Sequence, residues 1–318
     1  MEFEVALKMR NLAELQKRIA RGEIISPAEM EQKYDPSAAD EQAVVDWLNS
    51  QGLAVSGRDK SHLSILVRGS VGQIGHALKV NFARVALEGN EYTSAITAPS
   101  VPATIAPVLV GINGLQPHLR AHHHLLRPDS LSTNGAPYLP SQIAAAYNAN
   151  GMYAINVNGA GQTIAVVMDN FPAASDLTSF WQTYGVNQSI NNISFIQVVP
   201  GTPFTDVAGI SEATLDVEWS SSIAPGAQVR IYGTPDLSYS HTDAAYQQIY
   251  NDATAHPEYG IHQVSLSYSG GEKSDTTLSI VQAADQKLML LASAGITVFA
   301  ASGDGGGGGH REILDLCG

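Results

Sequence analysis

The chain has 318 residues, 44% of them hydrophobic, and a formal net charge of −13. That length holds two domains with ordinary cores, and the acidic balance excludes a basic nucleic-acid footprint. Cys317 is the single cysteine, so no internal disulfide forms, and no apolar run approaches membrane-helix length.

The charge is unevenly spread. Residues 1–136 carry thirteen Lys and Arg against fourteen Asp and Glu; from Pro137 onward four basic residues face sixteen acidic ones. A lysine-poor, carboxylate-rich body tolerates acid, because its charge falls as carboxylates protonate. Met1–Ala20 lacks the basic-then-apolar layout of a signal peptide.

In chain order, residues 2–8 alternate apolar and polar and predict a strand. Leu12, Leu15 and Ile19 predict a helix over Asn11–Arg21, Ser26-Pro27 starts another, and Ser37–Gly52 is a longer amphipathic helix. Strands follow at Leu53–Val55 and Leu63–Val67, a helix at Val71–Leu78, strands near Phe82–Leu87 and Tyr92–Ile96, and a helix over Pro102–Val110. Short helices among mostly antiparallel strands give an α+β domain. A polar, breaker-rich linker comes next, with His118, His122, His123 and His124 at its start. The three-His run either binds metal or, as the bland alternative, makes a protonatable flexible tether.

From Thr163 the pattern alternates. Strands are expected at Thr163–Met168, Ile193–Val199, Val229–Tyr232, Val264–Tyr268 and Ile296–Ala301, with helices at Ser175–Tyr184, Glu212–Ile223, Thr242–Ala255 and Asp275–Ala294. Buried apolar strands separated by amphipathic helices imply an α/β, doubly wound parallel sheet with its site at the strands' C-terminal ends.

The chemistry concentrates in Gly209–Trp219. Ser211 suits an N-cap, and Glu212 and Asp216, four apart, share a helix face on which two carboxyls titrate as a unit. Leu215 and Trp219 are expected to hold that face against a core. The run continues through Ile223-Ala224-Pro225-Gly226-Ala227 into a strand. In full, Glu212–Tyr232 resembles the catalytic helix of the sedolisin (serine-carboxyl peptidase) family, whose pattern is E-x-x-L-D-(I/V)-E-(W) followed by I-A-P-G-A.

The resemblance extends both ways. Tyr34–Leu53, Phe82 and the closing "V-P-x-x-I-A-P-V-L-V-G-I-N-G-L" resemble the family's pro-kumamolisin-type propeptide, and Pro140–Tyr147 resembles the opening helix of the mature enzyme. It implies a propeptide over 1–120, a linker with the processing site over 121–136, and the first part of a subtilisin-like peptidase domain over 137–318. Ser265-Leu266-Ser267-Tyr268-Ser269-Gly270-Gly271 matches the family's S-x-S-W-G-G, a strand that pairs with substrate backbone, with Tyr268 in place of Trp. Asp304, in Ala300-Ala301-Ser302-Gly303-Asp304, matches the family's oxyanion aspartate, with Gly305 where Ser is usual.

By resemblance, Glu212 is the base, Asp216 its orienter and Asp304 the oxyanion donor. Ser267, Tyr268, Ser269 and Gly270 hold substrate. Asp169 either extends the carboxylate network or caps the next turn. The nucleophilic Ser and a Ca2+ site are expected beyond Gly318, so the chain is expected to be inactive alone. The family implies an acid-acting, secreted endopeptidase whose partners are peptide substrate and its own propeptide, with neither nucleic acid nor membrane. A non-catalytic peptide-binding protein of the same fold is the alternative. Six of the ten histidines lie in the first 124 residues. Acid is therefore expected to charge the propeptide while the body neutralises, with their attraction greatest near about pH 5.

Overall fold

The computed structural model describes residues 1–87, 89–123, 138–204, 212–270 and 276–302. The N-terminal part opens with β1 (Glu2–Leu7), whose Phe3, Val5 and Leu7 are buried, and α1 (Leu12–Ala20), held by Leu15. Ser26 accepts from the Glu29 amide and starts α2 (Pro27–Glu29), which runs on as a π-helical turn over Met30–Tyr34. Ser37 likewise caps α3 (Ala38–Ser50), which buries Val44, Val45 and Leu48. Strands β2 (Ala54–Arg58) and β3 (Ser64–Arg68) follow, then α4 (Val71–Leu78), whose Ser70 and Gln73 form a reciprocal capping box. A two-stranded ribbon, β4 (Phe82–Leu87) and β5 (Asn90–Ala95), leads to β6 (Leu109–Asn113).

The expected helix over Pro102–Val110 is replaced by a single 3-10 turn at Ala106–Val108 and then β6. Pro107 removes an amide donor, and the apolar run Val108-Leu109-Val110 is better used pairing with β1. Sheet order is β2-β3-β1-β6, antiparallel throughout.

Residues His122–His123 form a short strand, β7, rather than part of a loose tether. Two small helices, α5 (Pro140–Ala146) and α6 (Asn150–Ala154), precede the main sheet; no hydrophobic period announces α6. Then come β8 (Thr163–Met168), α7 (Ala174–Tyr184), β9 (Ile193–Gln197), α8 (Glu212–Ile223), β10 (Gln228–Gly233), α9 (Tyr239–Ala255), β11 (Ile261–Leu266), β12 (Tyr268–Ser269), α10 (Leu278–Ser293) and β13 (Thr297–Ala300). The five main strands are parallel in the order β13-β11-β8-β10-β9, the expected doubly wound α/β sheet. Central β8 is the most buried strand, as a strand covered on both faces must be.

The two parts share one core. Met9, Leu15, Ile25, Met30, Tyr34 and Leu63 pack with Ala245, Ile249, Tyr250, Leu290 and Leu291 of α9 and α10. Polar bonds cross the same seam: the Met9 amide donates to Gln286 Oε1 (2.6 Å), Gln286 Nε2 to the Leu7 carbonyl (2.9 Å), and the Ile25 amide to the Ser293 carbonyl (2.8 Å). Lys287, fully buried, donates to Asp59 and to Gln247 Oε1 (3.0 Å), and Gln247 Nε2 donates to Ser61 (2.9 Å).

Candidate active site

Helix α8 is fixed by small residues. Ala213, Val217 and Ser221 are buried, whereas Leu215 and Trp219 are only half-buried. The expected Leu215–Trp219 stripe is therefore not the packing face. Its bulk would hold α8 off β8, and Trp219 instead meets Phe180 of α7 edge-on at 6.4 Å. Trp181 Nε1 donates to Ser221 Oγ (2.9 Å), and the Tyr153 hydroxyl of α6 donates to the Ile223 carbonyl (2.7 Å), satisfying the helix end. Ser211 lies outside the described residues.

This places Glu212 and Asp216 on one face of α8, above the C-terminal ends of β8 and β11. Ser267 Oγ donates to Asp216 Oδ1 at 2.8 Å. Asp216 Oδ2 is buried with no hydrogen-bond partner among the described residues. Burial, reinforced by the charge of Glu212, lifts the Asp216 carboxyl to about 7 against the opposing Ser267 hydrogen bond and His123 charge. The i, i+4 pair is thus a shared electrostatic unit.

Asp169 follows β8 and meets His123 Nε2 at 3.0 Å; the same ring's Nδ1 faces the Ser267 carbonyl at 3.3 Å. Burial opposes protonation of His123. The hydrogen bond and charge of Asp169, the Ser267 carbonyl and Glu212 together outweigh it and raise the imidazole above its ordinary value.

Strand β7 pairs antiparallel with β12, His123 opposite Tyr268 and His122 opposite Ser269. Tyr268 turns its side chain into the core, where its hydroxyl meets that of Tyr246 at 2.9 Å. Opposite residues in an antiparallel pair share a face, so His123 goes inward with Tyr268. Of the expected substrate strand, Tyr268 and Ser269 pair through their backbone with the chain's own His122–His123. Gly270 is buried where a Cβ would sit 2.0 Å from the Tyr239 hydroxyl, so any side chain there would force the Tyr239 ring to move. Asp304 and His124 lie outside the described residues. Among those described, no group of three or more His, Cys, Asp or Glu is arranged to hold a metal ion.

The signal that sequence reading missed here is His123. Its neighbours in the run of three suggest composition, and only the fold brings it 46 residues along the chain to Asp169.

Residues 1–118 match the model "Pro-kumamolisin, activation domain". The chain is 27% identical to kumamolisin of a Bacillus species over 95% of its length and 56% of that protein. It is 27% identical to xanthomonalisin of a Xanthomonas species over 96% of its length and 39% of that protein, and 26% identical to dog tripeptidyl-peptidase 1 over 73% and 43%. The chain therefore spans about half the length, or less, of these curated relatives. An epidermin leader peptide processing serine protease from Staphylococcus aureus overlays 94% of the chain and 60% of its own at a TM-score of 0.45 and 10% identity. With an activation-domain match in front of an acidic helix on a parallel sheet, and relatives that align across both parts, the chain is similar to the sedolisins, or serine-carboxyl peptidases, with their propeptide.

Proposed function

We propose that this chain is the precursor part of a secreted serine-carboxyl endopeptidase, cutting peptide bonds in acid through an acyl-enzyme. The observation that carries the reading is a peptide already seated as a substrate would be. The chain's own His122–His123 adds a strand to Tyr268–Ser269, beside a carboxyl lifted to about 7.

In this mechanism Glu212 takes the proton of a serine nucleophile that lies outside the described residues, and Asp216 orients Glu212. A carboxyl base suits acid because a histidine base would be protonated there. Ser267 donates to Asp216 and holds it in place, and Asp304, kept neutral, donates to the oxyanion. Asp169 extends the network at its outer end through His123 in the precursor. The propeptide is residues 1–120, with processing in 121–136. Its partner in the precursor is the body itself. A Ca2+ ion would be bound by residues other than those described, and no step above runs through it.

In the full-length protein, Glu212→Gln is expected to cut peptide turnover at pH 4 by roughly two to four orders of magnitude with the fold intact. The chain of 318 residues alone is expected to show none. Hydrolysis by that chain, lost in Ser267→Ala, would make Ser267 the nucleophile and replace this assignment. Peptide binding by a full-length protein that never turns over would favour the non-catalytic reading.

A further inference from the structure

The tail seated in the groove also says what kind of side chain the groove accepts. We propose that the place His123 occupies beside Asp169 is a specificity subsite for a positively charged side chain, so that basic peptides are the preferred substrate class of this site. This rests on the peptidase reading above and adds a preference to it.

Three observations carry the proposal. His123 is the tail residue opposite Tyr268, and it shares that tyrosine's inward face. Both of its ring nitrogens face acceptors, Asp169 Oδ1 at 3.0 Å and the Ser267 carbonyl at 3.3 Å. A neutral imidazole has one donor and one acceptor nitrogen, so only the cation donates to both. The side chains of His123 and Asp169 are 24% and 32% exposed, which shields the pair from much of the solvent screening that makes surface pairs weak.

The surrounding charges have one sign. Asp169 and Glu212 both act on His123 attractively, and His123 in turn acts on Asp216. An acidic side chain in the same place would meet the Asp169 carboxyl and the Ser267 carbonyl, with the Glu212 charge acting on it and no donor among the contacts described for His123. A lysine ammonium has three donors and an arginine fork five, so either can satisfy the same two acceptors. Specificity then has both halves, an attraction for cations and a repulsion of anions. Asp169 is the residue that sets it, by direct contact with the occupant.

The test uses the full chain and needs no turnover, so its failure is distinct from failure of the peptidase reading. Amide hydrogen exchange at His122, His123, Tyr268 and Ser269 reports how firmly the tail is paired. His123→Lys is expected to retain the protection of the native tail. His123→Gln should lose roughly fivefold, and His123→Glu about tenfold or more. In an Asp169→Asn background the three should converge, and Asp169→Lys should restore protection to His123→Glu. Equal protection for Lys, Gln and Glu overturns the subsite. An unchanged order in Asp169→Asn assigns the preference to another group and overturns the role of Asp169.

Discussion

Among the described residues, the N-terminal part meets the body in two regions of opposite character. The seam against α9 and α10 is deep: apolar packing, hydrogen bonds between backbone and amide side chains, and a fully buried Lys287 paired with Asp59. The groove contact at His122–His123 is short, half-buried and made by one ion pair with two residues of strand pairing. In the proposed reading the seam supplies adhesion and the groove contact supplies blockade. On that reading, displacing the tail and undocking the N-terminal part are expected to be separable events.

Charge sharpens the contrast. At the seam the cation comes from the acidic body, in Lys287, and the carboxylate from the prodomain, in Asp59, the reverse of what bulk charge suggests. His62 pairs with Glu41 and His118 with Ser94, both inside the prodomain, while His123 alone of these bridges to the body. Burial lifts the seam carboxyls Glu4 and Asp243 above their ordinary values. A raised acid holds its proton better in the folded, docked chain than in an unfolded one, so these two stabilise that state at low pH and less so as pH rises. Acid release by repulsion between the two parts would have to overcome that term.

The largest effect is expected from breaking the seam at its buried charge. Lys287→Ala leaves Asp59 buried without its cation and should cost about 3–5 kcal/mol in chemical denaturation of the full chain. Adding Asp59→Leu to Lys287→Met should recover most of the loss, because a buried pair is often replaceable by apolar residues of similar volume. If Lys287→Ala costs no more than a surface substitution, the seam is held by packing alone.

Packing at the seam has its own test in Gly111. A Cβ on this β6 residue would lie 2.3 Å from the Ser279 Cβ of α10, where Ser279 Oγ also donates to Asn113 Oδ1 at 3.0 Å. Gly111→Ala must push β6 from α10 and is expected to cost about 1–3 kcal/mol. Exchange protection should fall across the seam while the tail's pairing at Tyr268–Ser269 survives. Parallel loss at both places would show that the two contacts are one cooperative unit.

Much of this architecture was legible in the chain, and the boundary between legible and hidden is physical. Elements stated by local signals came out as read: the helix start at Ser26-Pro27, the Val71–Leu78 helix, the Thr163–Met168 strand and the Glu212–Ile223 helix. The i, i+4 spacing also gave the shared face of Glu212 and Asp216. Local apolarity misled where partners decide. Val108–Val110 reads as helix until β1 is there to pair with it, and Leu215 and Trp219 read as a packing stripe until β8 demands small residues. The seam was hidden altogether, since Lys287 and Asp59 stand 228 residues apart and each looks like ordinary surface charge. The tail's seat was hidden for the same reason.

The smallest expected effect probes the groove through Asp216, and its sign is set by the raised carboxyl. The folded chain keeps the Asp216 proton to about pH 7, while an unfolded chain releases it near the ordinary value of 3.8. Between those values the folded state binds more protons, so stability is fully present below about 3.8 and falls as pH rises through about 7. Asp216→Asn removes the titration and keeps the shape, although the amide can no longer be ionised against Glu212. At pH 4 the variant should match the native chain; at pH 8 it should be more stable by about 1–2 kcal/mol, allowing for screening in a half-open groove. Glu218 and Asp35, each lifted to about 7 mainly by burial, produce a similar decline in both proteins and cancel in the difference. Urea unfolding of the pair at pH 4, 6 and 8 reads that difference directly. A gap that does not widen with pH would mean that Asp216 is ionised in the folded chain at pH 4, and the groove would then hold a carboxylate already poised for chemistry rather than one awaiting its partner.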